Sequence, residues 1–558
     1  MRIVCLLFCS LFIFSSDINA QSATNFPVDE GVDVYLEALE DWMLASRNDR
    51  VNEAFELFAG LFLSGEFSEE EQIRIMQTTN KLVERRISKG GGFINYLSSL
   101  EKVKRVSQDS AVFFAQYHDA LALLLAEERF RTTRFDKTVN VATAYYEDRR
   151  LSKDTRGTYW KAVGGTPTWP YDSGPVLRID DVDRLIAISG NASLVIEETS
   201  IQVDIVEGAV KGQGGEVNWE ALGLDPEVRA VLNDYTFEVN SNIYTASSAL
   251  MYYPSYIGDE PLEGSYTNKV QIGGVRAGTD FPQFTSSAGY VEISNVGEGI
   301  DLRGNFELRG STVYAIGDEG RQAEVEMTIE DEAGQEVVNG KAERFSVKQE
   351  ERIIGDGVET TIYFGDDSLN HPTVSMKVDV EQRLVKLIRT NSGSDRNPFN
   401  HSLNRVNIHA DYLDIYLNQD SVVVGKPTVS FAEKGDVLIE SEEYFSAGDY
   451  YRLQNIAEVN PLVLMLALRQ QETGNDFIST ERVAKAINPR FTTANIQSLL
   501  FELAAGGFIT YDVDQKRIRL KPKVEHYVRS DRQEGDYDRV LFRSVTDDIN
   551  AIMNLRTG

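Results

Sequence analysis

The chain has 558 residues, 42% hydrophobic and 26% charged, the balance of a folded protein rather than a disordered one. A chain of this length is expected to hold about three to five domains. Its 56 Lys and Arg against 87 Asp and Glu leave a formal net charge of -31, a field that repels nucleic-acid phosphates and anionic membrane surfaces and argues against DNA or RNA as a partner.

Met1 and Arg2 precede an apolar run over residues 3–14, the basic start and short greasy core of a secretory signal peptide. The run is too short to span a membrane comfortably. The small side chain of Ala20 marks the expected cleavage point, so residues 1–20 are read as a signal peptide. A lipoprotein would need Cys9 as its acylated first residue, a position that the bulky Phe8 before it does not suit. Both cysteines, Cys5 and Cys9, lie in this leader. The mature chain is therefore expected to have no disulfide, no thiol nucleophile and no thiolate zinc site. A large exported chain without disulfides points to a Gram-negative envelope, whether periplasmic, outer-membrane-associated or extracellular. No later apolar run is long enough for a transmembrane helix.

Residues 29–150 carry helical periodicity and predict a domain of four to six helices. The expected buried stripes are Val32, Leu36, Leu39 and Met43, then Ile73, Met76, Val83 and Ile87, then Phe113, Tyr117, Ala120 and Leu124. Ser68 and Glu71 have the spacing of a capping box, and Gly90, Gly91 and Gly92 are expected to end the helix it opens. From 155 to 175 the composition shifts to a linker rich in aromatic residues, glycine and proline. Two readings of Tyr159, Trp160, Trp169 and Tyr171 are open: a ligand platform on which sugar rings stack, or a plug in the seam between domains.

Residues 176–455 alternate apolar and polar side chains, as in residues 201–205, 324–330 and 374–380, which only a two-residue period sorts onto a dry and a wet face. Glycine-rich stretches at 212–215, 332–335 and 355–357 are read as tight reversals. The first lacks the lysine and hydroxyl residue of a phosphate loop. Residues 218–232 are expected to add one or two helical turns. Seams at 297–299 and 391–395 divide the body into two or three sheets. The fold class is therefore multidomain α+β, with a large antiparallel, sandwich- or jelly-roll-like all-β body.

Residues 305–311 and 410–417 resemble the rhythm of the β-jelly-roll proteins that carry lipopolysaccharide across the periplasm. That resemblance implies an apolar groove, lined by Val406, Ile408, Leu413 and Ile415, that receives acyl chains. The same alternation also serves an ordinary sandwich core.

From 458 to 528 the period turns helical. Pro461 opens a first helix, Ser479 caps a second, Thr492 or Thr493 caps a third, and Gly506 and Gly507 end it ahead of a hairpin at 508–511 and 517–520. This segment resembles a winged-helix domain, a family whose third helix enters the DNA major groove. Here that helix has Glu502 and no lysine or arginine, although the wing carries Lys516, Arg517, Arg519, Lys521 and Lys523. A protein-contact or structural use is the expectation. Residues 530–558 are read as a tail, the start of a further domain. The leader, the helical domain, residues 214–220 and residues 460–462 resemble large uncharacterised exported envelope proteins of one Gram-negative lineage, a likeness that implies no activity.

His118, His371, His401, His409 and His526 are scattered, with no His-Glu-x-x-His spacing, although His401 and His409 are placed to meet across a hairpin. Three acidic runs, Asp180, Asp181 and Asp183, Asp366 and Asp367, and Asp512 and Asp514, are either calcium ligands or solvated turns. No Gly-x-Ser-x-Gly elbow occurs, and no glycosidase pair can be picked from so many carboxylates. No catalytic, metal or cofactor residue is assigned. The expected function is an exported, non-enzymatic scaffold or protein-binding protein of the envelope or cell surface. The alternatives are carbohydrate binding or hydrolysis, and lipid or lipopolysaccharide binding.

Overall fold

The computed structural model describes residues 25–557 apart from 106–109, 272–278, 319, 330–334, 349–350, 390–392, 426–434, 455–458 and 472–475. The leader, its cleavage point, residues 332–334 of an expected turn and residues 391–392 of an expected seam lie outside these residues, and Gly393–Arg396 form a single helical turn. The chain divides into two compact units. One holds residues 25–216, 234–244 and 270–271, and the other holds 217–233, 245–269 and the described residues from 279 onward. Together they show an α+β protein with an N-terminal helical region and a large antiparallel β body.

The first unit begins with six helices: α1 Val32–Leu44, α2 Asp49–Leu63, α3 Glu69–Glu84, α4 Ile94–Arg105, α5 Ser110–Ala126 and α6 Thr132–Asp148. In α1, Leu36, Leu39 and Met43 are buried as the spacing predicts, and in α5 so are Tyr117, Ala120 and Leu124. In α3 the expected stripe is displaced. Ile73 is exposed, and the inner face is Ile75, Met76, Thr79 and Leu82. Tyr35 explains Thr79, since its hydroxyl shares a 2.9 Å hydrogen bond with the threonine and leaves neither group unpaired in the core.

Ser68 and Glu71 form the capping box, each side chain bonded to the other residue's amide. The helix does not run on to the glycines. It stops at Arg85, where Arg86 takes a left-handed φ of 55°, and the glycines form a wide turn at Lys89–Phe93 that leads into α4.

The rest of this unit is an antiparallel meander of Thr158–Thr168, Val176–Ser189, Ala192–Asp204 and Ala209–Gln213, extended by residues 234–238. Most of the stretch expected as a linker is thus strand. Within it, Thr158, Trp160 and Ala162 point inward and Tyr159 and Lys161 are half-buried, a two-residue period that the tryptophans and glycines obscure in the sequence.

In the second unit, strand Arg352–Phe364 pairs with Asp367–Asp379, and the latter then serves two arms. Its end at Ser375–Asp379 pairs with Leu384–Ile388, which continues to Tyr412–Tyr416, Ser421–Val424 and finally Ala551–Asn554. Its start at Leu369 and Asn370 pairs with Phe399–His401, which continues to Val406–His409, Gly435–Ser441 and finally Leu541–Thr546. The two halves of Ile300–Arg309 divide in the same way, one pairing with Thr312–Ile316 and the other with Ala323–Thr328. Gly355, Asp356 and Gly357 make no reversal. They form an irregularity inside the Arg352–Phe364 strand, which bends there while keeping its partner. Residues 218–232 contain the expected helical turn, Glu220–Leu222, ahead of strand Arg229–Glu238.

Between the last two strands of one arm the chain forms helices Pro461–Gln471, Thr480–Ile487, Thr493–Ala505 and Pro522–Asp531. It also forms a small sheet in which Arg517–Leu520 pairs with Ile509–Asp512 and with Phe477–Ser479. The third strand, Phe477–Ser479, is too short to show in a sequence pattern.

Candidate functional site

The two tryptophans named for a sugar platform are not at the surface. Trp160 is fully buried, stacked on Phe237 with centroids 3.9 Å apart, and its Nε1 donates to the Ser241 carbonyl at 2.9 Å. Trp169 is buried against Tyr117, and its Nε1 donates to the Tyr146 hydroxyl at 3.0 Å. Both indoles face the chain's own rings, so neither offers a face to a sugar. Tyr159 and Tyr171 are half-buried. The Tyr171 hydroxyl donates to Glu127, which Arg134 also holds. Partial burial, with the hydrogen bond and negative charge of Glu127, pushes this phenol up to about 12.

The residues expected to line a lipid groove also turn inward. Ile408, Leu413 and Ile415 are buried and Val406 is half-buried. His401 and His409 do not meet. His401 lies opposite Val406 and Phe399 opposite Ile408, so the two histidines sit on opposite faces of their hairpin. His401 is buried beside Phe364, whereas His409 Nε2 is 3.5 Å from Glu440.

Among the described residues no group of three or more His, Cys, Asp or Glu side chains is arranged to hold a metal ion. Asp180, Asp181 and Asp183 are exposed around a break in register between Ile179 and Val182, opposite Gly164 and Gly165. A Cβ on Gly165 would stand 2.7 Å from the Asp180 carbonyl, so the bulge requires glycine there. Asp367 accepts from the Ser402 hydroxyl at 2.9 Å, and Asp512 pairs with Arg517 at 3.2 Å.

The wing's cations are largely occupied. Arg517 also lies over the Phe477 ring, and Lys523 is buried in an ion pair with Glu440. Partial burial and then the nearby Arg519 and Lys523 draw Lys521 down to about 8. On the Thr493–Ala505 helix the exposed residues Ala494, Asn495, Gln497 and Ser498 carry no charge.

A cleft of about 540 Å³ lies between the starts of two helices and the wing, lined by Phe477, Thr480, Glu481, Thr493, Lys516 and Arg517. Glu481 already accepts the Thr493 amide at 3.2 Å, which uses the helix start that would otherwise attract an anion.

The feature left over lies at the ends of the two arms. Val540, Leu541, Phe542, Val545, Ile549 and Ile552 are 49–63% exposed, within 13 residues of chain. Strand Leu541–Thr546 pairs with Gly435–Ser441 on one side, and no other strand pairs with it among the described residues. Asn550, in the link between the two last strands, donates to the Gly435 carbonyl at 3.2 Å and to the Ser544 carbonyl at 2.9 Å, fixing the segment to the sheet. Side chains alternate along the strand, so Val540 and Phe542 lie on one face and Leu541 and Val545 on the other, and this edge exposes apolar groups on both sides.

No protein-family model, no curated protein and no solved structure matches this chain. Among the described residues no helix is long and apolar enough to cross a membrane.

Proposed function

We propose that this chain is an exported, non-enzymatic scaffold of the envelope or cell surface whose β body presents contacts to other proteins. The observation that carries the reading is the gathering of exposed apolar side chains on residues 540–552, on strands whose neighbours bury or half-bury theirs. Water is a poor neighbour for Phe542, 61% exposed, and a protein surface relieves that cost. In this reading the two arms leaving Asp367–Asp379 are the layers of a sandwich, a stiff support for that edge. The helices from Pro461 onward are a winged-helix-like module used for packing. The absence of charge on the exposed residues of its third helix and its buried Lys523 suit protein contact better than phosphate contact. The leader at residues 1–20 supplies export.

The test expresses the chain with its leader in a Gram-negative host and places a photo-crosslinking residue at Phe542, with the exposed Asp366 as control. The expected result is a mature N-terminus at Gln21, an envelope location and a protein adduct from 542 alone. Cytoplasmic retention, or specific recovery of a processed glycan or a lipid in place of a protein adduct, overturns the reading.

A further inference from the structure

The Leu541–Thr546 edge has a direction, a parity and a charge pattern that together select what pairs with it. The Ser441 amide donates to the Val540 carbonyl at 3.1 Å, which fixes the Val540 backbone toward strand Gly435–Ser441. In an antiparallel pair this orientation alternates, so Val540, Phe542, Ser544 and Thr546 bond inward. The amides and carbonyls of Leu541, Arg543 and Val545 point away from the sheet. The strand contains no proline, lysine or bulge, the usual means of blunting an edge. Its one cation, Arg543, is held back toward its own sheet by Asp436, with Nε at 2.8 Å from a carboxylate oxygen.

We propose that this edge binds the same edge of a second copy of this chain, antiparallel and about a twofold axis at Arg543. The proposal rests on the scaffold reading above and names the partner of that same surface. Parity allows only registers in which outward residues meet outward residues. Of these, the one centred on Arg543 uses all three outward residues. It sets Leu541 against Val545 of the second copy, Phe542 against Ser544 and Val540 against Thr546. Just beyond the strand it brings Arg539 to Asp547 of the second copy, and the reverse, so an opposite-charge pair and a Leu541–Val545 contact flank the axis on each side, while Arg543 at the axis faces its own counterpart with its charge already paired to Asp436. The register centred on Phe542 sets Leu541 against Arg543, and the one centred on Ser544 sets Leu541 against Asp547. Each spoils an apolar contact. Isologous pairing of this kind closes on itself and consumes the free edge, whereas the general charge of -31 opposes nonspecific association.

The test uses the mature chain, expected to lack cysteine, so that single cysteines report the register. Arg543→Cys places two thiols opposite each other across the axis, at a separation of about 5.5 Å between Cα atoms that a disulfide spans. Under oxidation Arg543→Cys is expected to give a covalent dimer, while Phe542→Cys and Ser544→Cys stay single. Light scattering is expected to give the unmodified chain twice the single-chain mass, and Val545→Lys is expected to return it to one chain with an unchanged circular dichroism spectrum.

A single-chain mass at every concentration with no Arg543→Cys dimer overturns the proposal. Preferential cross-linking from Phe542→Cys or Ser544→Cys overturns the register. A photo-adduct from 542 to a different protein, with no Arg543→Cys dimer, overturns the second copy and leaves the scaffold reading standing.

Discussion

His118 and His371 are histidines that burial holds neutral, and their hydrogen bonds fix which ring nitrogen carries the proton. His118 Nδ1 donates to the Phe114 carbonyl at 2.8 Å, so Nε2 is left to accept from the Tyr96 hydroxyl at 2.9 Å. In His371 the tautomer is reversed. Nε2 donates to the Asn397 carbonyl at 2.7 Å, and Nδ1 accepts the Thr373 amide at 3.1 Å. Burial draws the first down to about 4 and the second to about 3 from an ordinary 6.5. Because the unfolded chain takes the proton more readily, stability should fall as pH drops below 6.5. For His118 the loss should be complete near pH 4 and total about 3 kcal/mol. Urea unfolding across this range checks it, and His118→Phe should flatten that part of the profile.

Glu440 behaves as a carboxylate does. Burial alone would raise it, but His409, 3.5 Å away, and the charge of Lys523 outweigh burial and lower its pKa. Its contribution is present above the unfolded value of about 4.3 and is lost as pH falls through the lower folded value. Glu440→Ala strands Lys523 as a buried charge and should cost about 3 to 5 kcal/mol, whereas Glu440→Leu with Lys523→Met should recover most of that in the same unfolding assay. Neither pairing was legible in the sequence, since Glu440 and Lys523 are 83 residues apart and each has the composition of a surface residue.

The elements divide into those that local chemistry specifies and those that a neighbour decides. The capping box of α3 was legible because Ser68 and Glu71 bond each other's amides, and Ser68→Ala should cost about 1 kcal/mol in thermal or urea unfolding. The three glycines after it gave a false stop. Glycine permits a helix end without requiring one, and Arg86 made the left-handed turn earlier. Strand Thr158–Thr168 was hidden because aromatic, glycine and proline residues suggested a joint, while its inward alternation was short. Trp160→Ala should cost about 3 to 5 kcal/mol by emptying the space against Phe237 and Tyr244, measured as a lowered urea midpoint. An exposed sugar-binding residue would instead leave stability nearly unchanged. The acidic run at Asp180–Asp183 looked like a turn and proved to be a bulge, because Gly164 and Gly165 on the facing strand absorb the extra residue.

Over the whole molecule the charge of -31 sets the long-range behaviour, and the uncharged outer face of Thr493–Ala505 agrees with it. The chain should therefore pass through immobilised heparin or DNA without retention, and Lys516→Glu with Arg519→Glu should leave that behaviour unchanged. Salt-dependent retention abolished by those substitutions would overturn the packing role given to the wing. The bifurcation at Asp367–Asp379 has a further consequence. One arm ends in Leu541–Thr546 and the other in Ala551–Asn554, so a few residues from 547 to 550 join the last strands of both arms. Residues 541–546 and 551–554, within the stretch read as a tail, pair with strands of the β body.

By itself the sequence determined what depends on neighbours a few residues away: the helical region, the alternating strands, the cap at Ser68, and the overall charge. Periodicity and capping are local, and charge needs only counting. Only the tertiary structure decided which apolar residues lie inside, because Trp160 and Phe542 are alike in hydrophobicity and differ in whether distant chain covers them. The buried pair of Glu440, on a strand, with Lys523, on a helix 83 residues away, and the pairing of Leu541–Thr546 with Gly435–Ser441 join stretches far apart in sequence, and the separation of His401 from His409 follows from the register of a short hairpin, which no local pattern encodes.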